Sequence, residues 1–253
     1  MWCRLFIASM VFALAWPSAV SAAVANGDFE TGNLSGWTVA GSASAQTSSF
    51  GITPPQGRYQ GYIETTGNYT DYAPAVLASL GVAPGDIIAL GAGTPVNGTG
   101  LSQSVTVDAG DTLSFDWNFT TAELSEPPMY NDFAFYTISG TPFLLASRNG
   151  STYDTVSPPA GFEGQTDWAT QTYTFPTAGT YTIGFGVFNV GDAGYDSALL
   201  LDSVDIPTAV PEPGSLGLLL FGALLHCAGD RRNTRADLRS RKRQQPVNPA
   251  STA

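Results

Sequence analysis

The sequence predicts an all-β fold: a single jelly-roll-like antiparallel β-sandwich, flanked by an N-terminal signal peptide and a C-terminal single membrane helix. Three observations predict it. Short runs alternate apolar and polar residues with the period of two that half-buried strands require, clusters of Gly, Pro and Asn separate them, and long apolar runs without alternation occur only near the two ends.

The ends come first, because they do not belong to the fold. Arg4 precedes an apolar run from Leu5 to Trp16, then Pro17 and small residues ending in Val20-Ser21-Ala22, the order of a secretory signal peptide cleaved after Ala22. An uncleaved membrane helix is the weaker alternative, since no basic stop-transfer flank follows. Near the other end Pro211, Glu212 and Pro213 lead into the apolar segment 214–229, followed by Arg231, Arg232, Arg235, Arg239, Arg241, Lys242 and Arg243. A helix there is short for a hydrocarbon core of about 30 Å, and the cations hold that end in the cytoplasm. The expected division is signal peptide 1–22, ectodomain 23–206, linker 207–213, membrane helix 214–229 and basic tail 230–253.

This three-part ending resembles the PEP-CTERM sorting signal of Gram-negative bacterial surface proteins. The resemblance implies that an exosortase-type transpeptidase recognises Pro211, Glu212, Pro213, Arg231 and Arg232, removes the tail, and passes the remainder to the cell surface or extracellular polymer matrix. His226 and Cys227 inside the helix, and the polar residues after the arginines, depart from the pattern.

Between residues 23 and 213, nineteen acidic residues face only Arg58 and Arg148. Such a surface repels phosphates, so nucleic acid is not a partner. It offers hard oxygen ligands, which points to Ca²⁺; the alternative is an acidic surface that keeps an exported protein soluble. Cys3, Cys227 and His226 all lie in the removable ends, so the ectodomain has no disulfide, thiol nucleophile, Ser-His-Asp triad or imidazole-bound metal. Catalysis would rest on carboxylates alone, as in glycosidases. With nineteen acids some pair is close in any fold, so the chain reads as no enzyme.

Within the ectodomain, 58–64 reads as a strand and 69–100 as a loop or a short helix near 75–80. In 105–119, Leu113, Phe115, Trp117 and Phe119 share one face after the turn Ala109-Gly110-Asp111. In 173–188, Tyr181, Ile183, Phe185 and Val187 do the same after Thr177-Ala178-Gly179. Each reads as a hairpin. Between them 133–138 and 143–146 form a strand pair around Ser139-Gly140, and 199–206 closes the domain.

Two further resemblances rest on these residues. The opening Asn26-Gly27-Asp28-Phe29-Glu30 with Leu34-Ser35-Gly36-Trp37, and the closing 199–204, resemble the first and last strands of jelly-roll carbohydrate-binding modules. This implies that those strands pair and that Glu30 and Asp202 hold a structural Ca²⁺. The middle, with Asn118-Phe119, Glu123, 131–135 and 195–200, is similar to choice-of-anchor ectodomains of surface proteins. Glu123, Asp132 and Asp196 stand at strand ends, where loops gather, so three carboxylates converge on a hard cation; alternatively Asp132 and Asp196 only cap turns.

Sugar sites stack flat rings on pyranose faces. Trp117 belongs to the core face and Trp37 to the core edge, which leaves Trp168, Tyr62 and Tyr69 as candidate platforms, with core packing as the alternative. The chain therefore reads as an exported surface or matrix protein with a non-catalytic binding or structural role, or alternatively as a lectin-like module for exopolysaccharide.

Overall fold

The computed structural model describes residues 24–65, 72–124, 129–150 and 157–207. The signal peptide, Tyr69, the Pro211-Glu212-Pro213 motif, segment 214–229 and the arginines beyond it lie outside the described residues. Among the described residues no helix is long and apolar enough to cross a membrane.

The strands are β1 (Thr38–Ala40), β2 (Ser42–Thr47), β3 (Tyr59–Glu64), β4 (Pro95–Val107), β5 (Thr112–Thr121), β6 (Phe133–Ile138), β7 (Thr141–Ser147), β8 (Gly164–Gln165), β9 (Ala169–Thr174), β10 (Gly179–Val190) and β11 (Ser197–Asp205). Helices α1 (Tyr72–Leu80) and α2 (Pro84–Ile88) lie between β3 and β4. One sheet has the order β1-β4-β10-β6-β7; the other has β2-β3-β11-β5-β8, with β9 also on β5. Every pairing is antiparallel. Opposing β4-β10-β6-β7 to β3-β11-β5-β9 gives an eight-stranded jelly roll, with β1 and β2 as added edges.

The alternation fills the space between the sheets as expected. Phe115 and Phe119 from β5, Ile183, Phe185 and Val187 from β10, and Leu199 and Leu201 from β11 are fully buried. Phe115 meets Phe185 edge-on at 4.9 Å between ring centroids. Burying each such side chain contributes about 1.5–3 kcal/mol. Trp117 is half-buried against the same core.

The two segments that read as hairpins are instead corners of the sandwich. β4 and β5 lie in opposite sheets, and so do β9 and β10. The two corners sit side by side: Gly110 N–H donates to the Phe175 carbonyl and Phe175 N–H to the Asp111 carbonyl, both at 2.8 Å. Alternation marks the apolar face of a strand, and that face points inward in either sheet. β6 and β7 are a true hairpin, turning through Ser139 (φ 47°) and Gly140 (φ 85°) as a tight two-residue loop demands.

In the stretch read as a loop, α1 and α2 cover the outer face of the first sheet, placing Val76, Leu77, Leu80 and Ile87 against Phe133, Phe135 and Phe188. β4 begins at Pro95, well inside that stretch. Its glycines mark close approach: a Cβ on Gly98 would stand 2.2 Å from the Phe188 ring, and one on Gly100 3.0 Å from Val76. On the second sheet's outer face, Ile52, Tyr62, Ala198 and Leu200 pack beneath Phe50, Phe162 and Trp168.

Candidate functional site

Glu30 and Asp202 are brought together, but not by strand pairing. The opening segment forms turns, and its backbone meets β11 through one bond, Val204 N–H to the Gly27 carbonyl at 2.9 Å. Phe29, at φ 55°, sends its ring into the core over Gly61, where a Cβ would stand 2.6 Å from the ring. Asn26 holds the loop from within: its side-chain amide donates to the Asn33 carbonyl at 2.8 Å, and its own carbonyl accepts Trp37 Nε1–H at 3.1 Å. With Phe29 fixed, Glu30 reaches across to the turn before β3, where its Oε1 accepts the N–H groups of Arg58 and Tyr59, both at 2.7 Å. From the facing strand, fully buried Asp202 accepts Gln56 N–H at 3.1 Å and Ser203 N–H at 2.7 Å. Burial pushes the Asp202 carboxyl up to about 6, with the nearby Asp116 and Glu30 charges adding to it against those two bonds.

The second carboxylate group gathers where β5, β6, β10 and β11 meet. Asp132 is fully buried, with Oδ1 accepting Val190 N–H at 2.9 Å and Oδ2 the Ser197 hydroxyl at 2.7 Å. That hydroxyl also lies 2.7 Å from Thr121 Oγ1, so the bonds cross from one sheet to the other. Burial pushes the Asp132 carboxyl up to about 8, with Glu123 and Asp192 adding to it. Glu123 is buried too and is pushed up to about 7 by burial and by Asp192, while Arg148 opposes the shift. The Arg148 guanidinium donates through Nε to the Glu123 carbonyl at 2.7 Å.

Asp192 therefore stands near Glu123 and Asp132, where the sequence pointed to Asp196. Asp196 accepts Ala122 N–H through its backbone carbonyl, and its charge acts on Tyr62. Among the described residues, no three His, Cys, Asp or Glu side chains gather closely enough to hold a metal ion by themselves.

Of the aromatic candidates, Tyr62 and Trp168 are among the described residues, and both pack on the outer face of the second sheet. Tyr62 is 6% exposed, tilts against Phe50 at 4.8 Å, and donates its hydroxyl to Glu64 Oε2 at 2.6 Å. Trp168 is half-buried and donates Nε1–H to the Thr53 carbonyl at 3.0 Å, pinning the loop between β2 and β3. The sequence missed Asp116, which faces Asp202 across the β5–β11 pair, and a cleft of about 500 Å³ lined by Asn26, Asp28, Gln56, Ser114, Ser203 and Asp205. Nothing local signals that cleft, because its lining comes from four separate stretches of chain.

Fold and site together define a jelly roll whose buried carboxylates tie loops to strands. No family model and no curated protein matches the chain. Among solved structures it is similar to a carbohydrate-binding module in complex with β-1,4-galactotriose, at 17% identity and a TM-score of 0.36, covering 70% of this chain and 92% of that one. It is also similar to the K1 cleaved adhesin domain of Lys-gingipain from Porphyromonas gingivalis W83, at 16% identity and 0.37, covering 69% and 94%. A third is the enzymatically active domain of tailspike protein 4 of bacteriophage CBA120, at 13% identity and 0.33, covering 73% of this chain and 21% of that one.

Proposed function

We propose that residues 23–206 are an exported surface or matrix domain, delivered by the signal peptide and the C-terminal tail, that acts by binding or architecture and not by catalysis. One observation supports this above others: Asp132, Asp202 and Trp168, among the groups best suited to chemistry or stacking, hold loops to strands, and Tyr62 is buried with its hydroxyl on Glu64 of its own strand. Export is tested by replacing Pro211, Glu212 and Pro213 with Ala in the full chain, expressed in a bacterium that carries an exosortase. The wild-type chain should reach the surface in shortened form and the variant should stay in the membrane at full length; identical behaviour overturns the sorting assignment.

Glu30 and Asp202 are the residues that would hold Ca²⁺, which would supply charge neutralisation beside the last strand. Their fit is electrostatic: burial raises the Asp202 carboxyl, and the charges of Asp116 and Glu30 add to that rise. Bound Ca²⁺ should raise the unfolding temperature by mass action, and Asp202→Asn should reduce that rise.

The second reading is a carbohydrate-binding module, favoured by the open cleft with its Asn, Asp, Gln and Ser lining. Those side chains match the donors and acceptors of sugar hydroxyls. Retention on an exopolysaccharide array, abolished by Asp28→Ala with Gln56→Ala, supports this reading. Unchanged retention in that double variant overturns it.

A further inference from the structure

Asn189 is the most anomalous side chain in the sandwich. It is 1% exposed, and neither its Oδ1 nor its Nδ2 has a hydrogen-bond partner. A buried amide with both polar atoms unmet costs stability unless something occupies the space beside it.

Register shows what it faces. Phe188 of β10 pairs with Phe133 of β6, and both rings point outward beneath α1. One step along, Asn189 therefore lies opposite Asp132, and both point between the sheets. The Val190 N–H bond to Asp132 Oδ1 confirms the juxtaposition. From the facing sheet Ser197 and Thr121, a Cα pair of β11 and β5, present their hydroxyls to the same space, and Thr65 is bonded to Ser197 at its side. One end of the sandwich interior is thus a polar layer inserted in an apolar core.

We infer that this layer holds a hard divalent cation of the Ca²⁺ class, liganded by the Asp132 carboxylate, the Asn189 amide oxygen and the Glu123 carboxylate. The site is separate from the Glu30–Asp202 pair. Each Asp132 oxygen accepts a single bond, and a carboxylate oxygen has a second lone pair to give. Glu123 and Asp192 add to the upward push of burial on Asp132, and Arg148 opposes it only at Glu123, so a bound cation would take the place of the protons that these buried carboxyls otherwise hold. The amide oxygen completes a donor set that the carboxylates alone do not make. The cation would clamp the β5–β6 and β10–β11 connections, whose rim carries the exposed Leu124, Met129 and Tyr195.

The test uses the full chain as wild type, Asn189→Leu, Asp132→Asn and Asp202→Asn, with Ca²⁺ binding read by equilibrium dialysis and unfolding temperature read in Ca²⁺ and in chelator. Asn189→Leu has nearly the same shape and removes both unmet atoms. It should be at least as stable as wild type in chelator, yet lose an ion and the matching part of the Ca²⁺-dependent rise. Asp132→Asn, which keeps the shape and an acceptor for Val190 N–H, should lose the same ion, whereas Asp202→Asn should retain it. Wild-type Ca²⁺ binding in Asn189→Leu, or none in Asp202→Asn, overturns the assignment and leaves ordered water in the layer. The Glu30–Asp202 proposal fails by a different result: Asp202→Asn binding as much Ca²⁺ as wild type.

Discussion

Asp202 and Asp132 are both fully buried carboxylates with two hydrogen-bond donors each, yet they differ in kind. Asp202 lies under a turn on the outer side of its sheet and is met only by backbone N–H groups, beside an open polar cleft. Asp132 lies between the sheets, and one of its donors is a side chain from the opposite sheet. Burial raises both carboxyls, but Asp202 to about 6 and Asp132 to about 8. The lesson is that full burial of the side chain does not measure desolvation: a carboxylate one turn from water keeps more of its charge than one inside the sandwich.

The largest effect that would break this comparison is truncation. Asp132→Leu leaves the buried Val190 N–H without its acceptor and the Ser197 hydroxyl with Thr121 alone, and should lower stability by about 2–4 kcal/mol. Asp202→Leu leaves its donors within reach of water from the cleft and should cost about 1–2 kcal/mol. Urea unfolding gives both values; equal losses would erase the distinction.

Next comes pH. Asp132 and Glu123 have folded-state pKa values raised above the ordinary range near 4, so the folded protein binds more protons than the unfolded chain between about pH 4 and their raised values. Their stabilising contribution is complete below pH 4 and is lost as pH rises through about 7 and 8. Asp202 follows the same sign, with its loss complete nearer pH 6. Chelator-treated protein should therefore lose stability from about pH 4 to about pH 8, and Asp132→Asn should flatten the slope that remains above pH 7. An unchanged slope in the variant would remove Asp132 as its source.

Smaller effects belong to the aromatic straps. Trp168→Phe loses the Nε1 bond to Thr53 but keeps the ring packing, and should cost about 0.5–1.5 kcal/mol. A loss below that range, read by thermal unfolding, would mean that the loop is held by Phe50 and Phe162 without it. Smallest of all, Thr112→Val removes one rung of an exposed hydroxyl ladder with Thr174, and should change stability by no more than about 0.5 kcal/mol.

Legibility followed the same division between local and distant causes. The strands carrying bulky alternating residues, β5, β6, β10 and β11, were readable because period-two patterning is written along the chain itself. β1 and β2 were not: they are short, built mostly of Thr, Ser and Ala, and only partly buried or exposed throughout. The first half of β4 read as loop because Gly98 and Gly100 look like breakers, while their cause, the Phe188 ring and α1, lies far off in sequence. For the site, Glu123 and Asp132 stood out as acids at strand ends, and Glu30 and Asp202 only through the resemblance carried by the two ends of the domain. Asp192 could not be told from Asp196, and Asn189 gave no sign at all.

By itself, then, the sequence determined the all-β class, the inward faces of the main strands, the acidic and imidazole-free character of residues 23–213, and the three-part ending. Those properties depend only on residue identity and near neighbours. Tertiary structure alone decided that the two look-alike segments cross between sheets, that Tyr62 packs beneath Phe50 while Trp168 bonds the Thr53 carbonyl, and that Asp132 accepts the Val190 N–H. A strand's period fixes which face is apolar but not which sheet or neighbour completes it, and burial of a polar group is a property of everything packed around it.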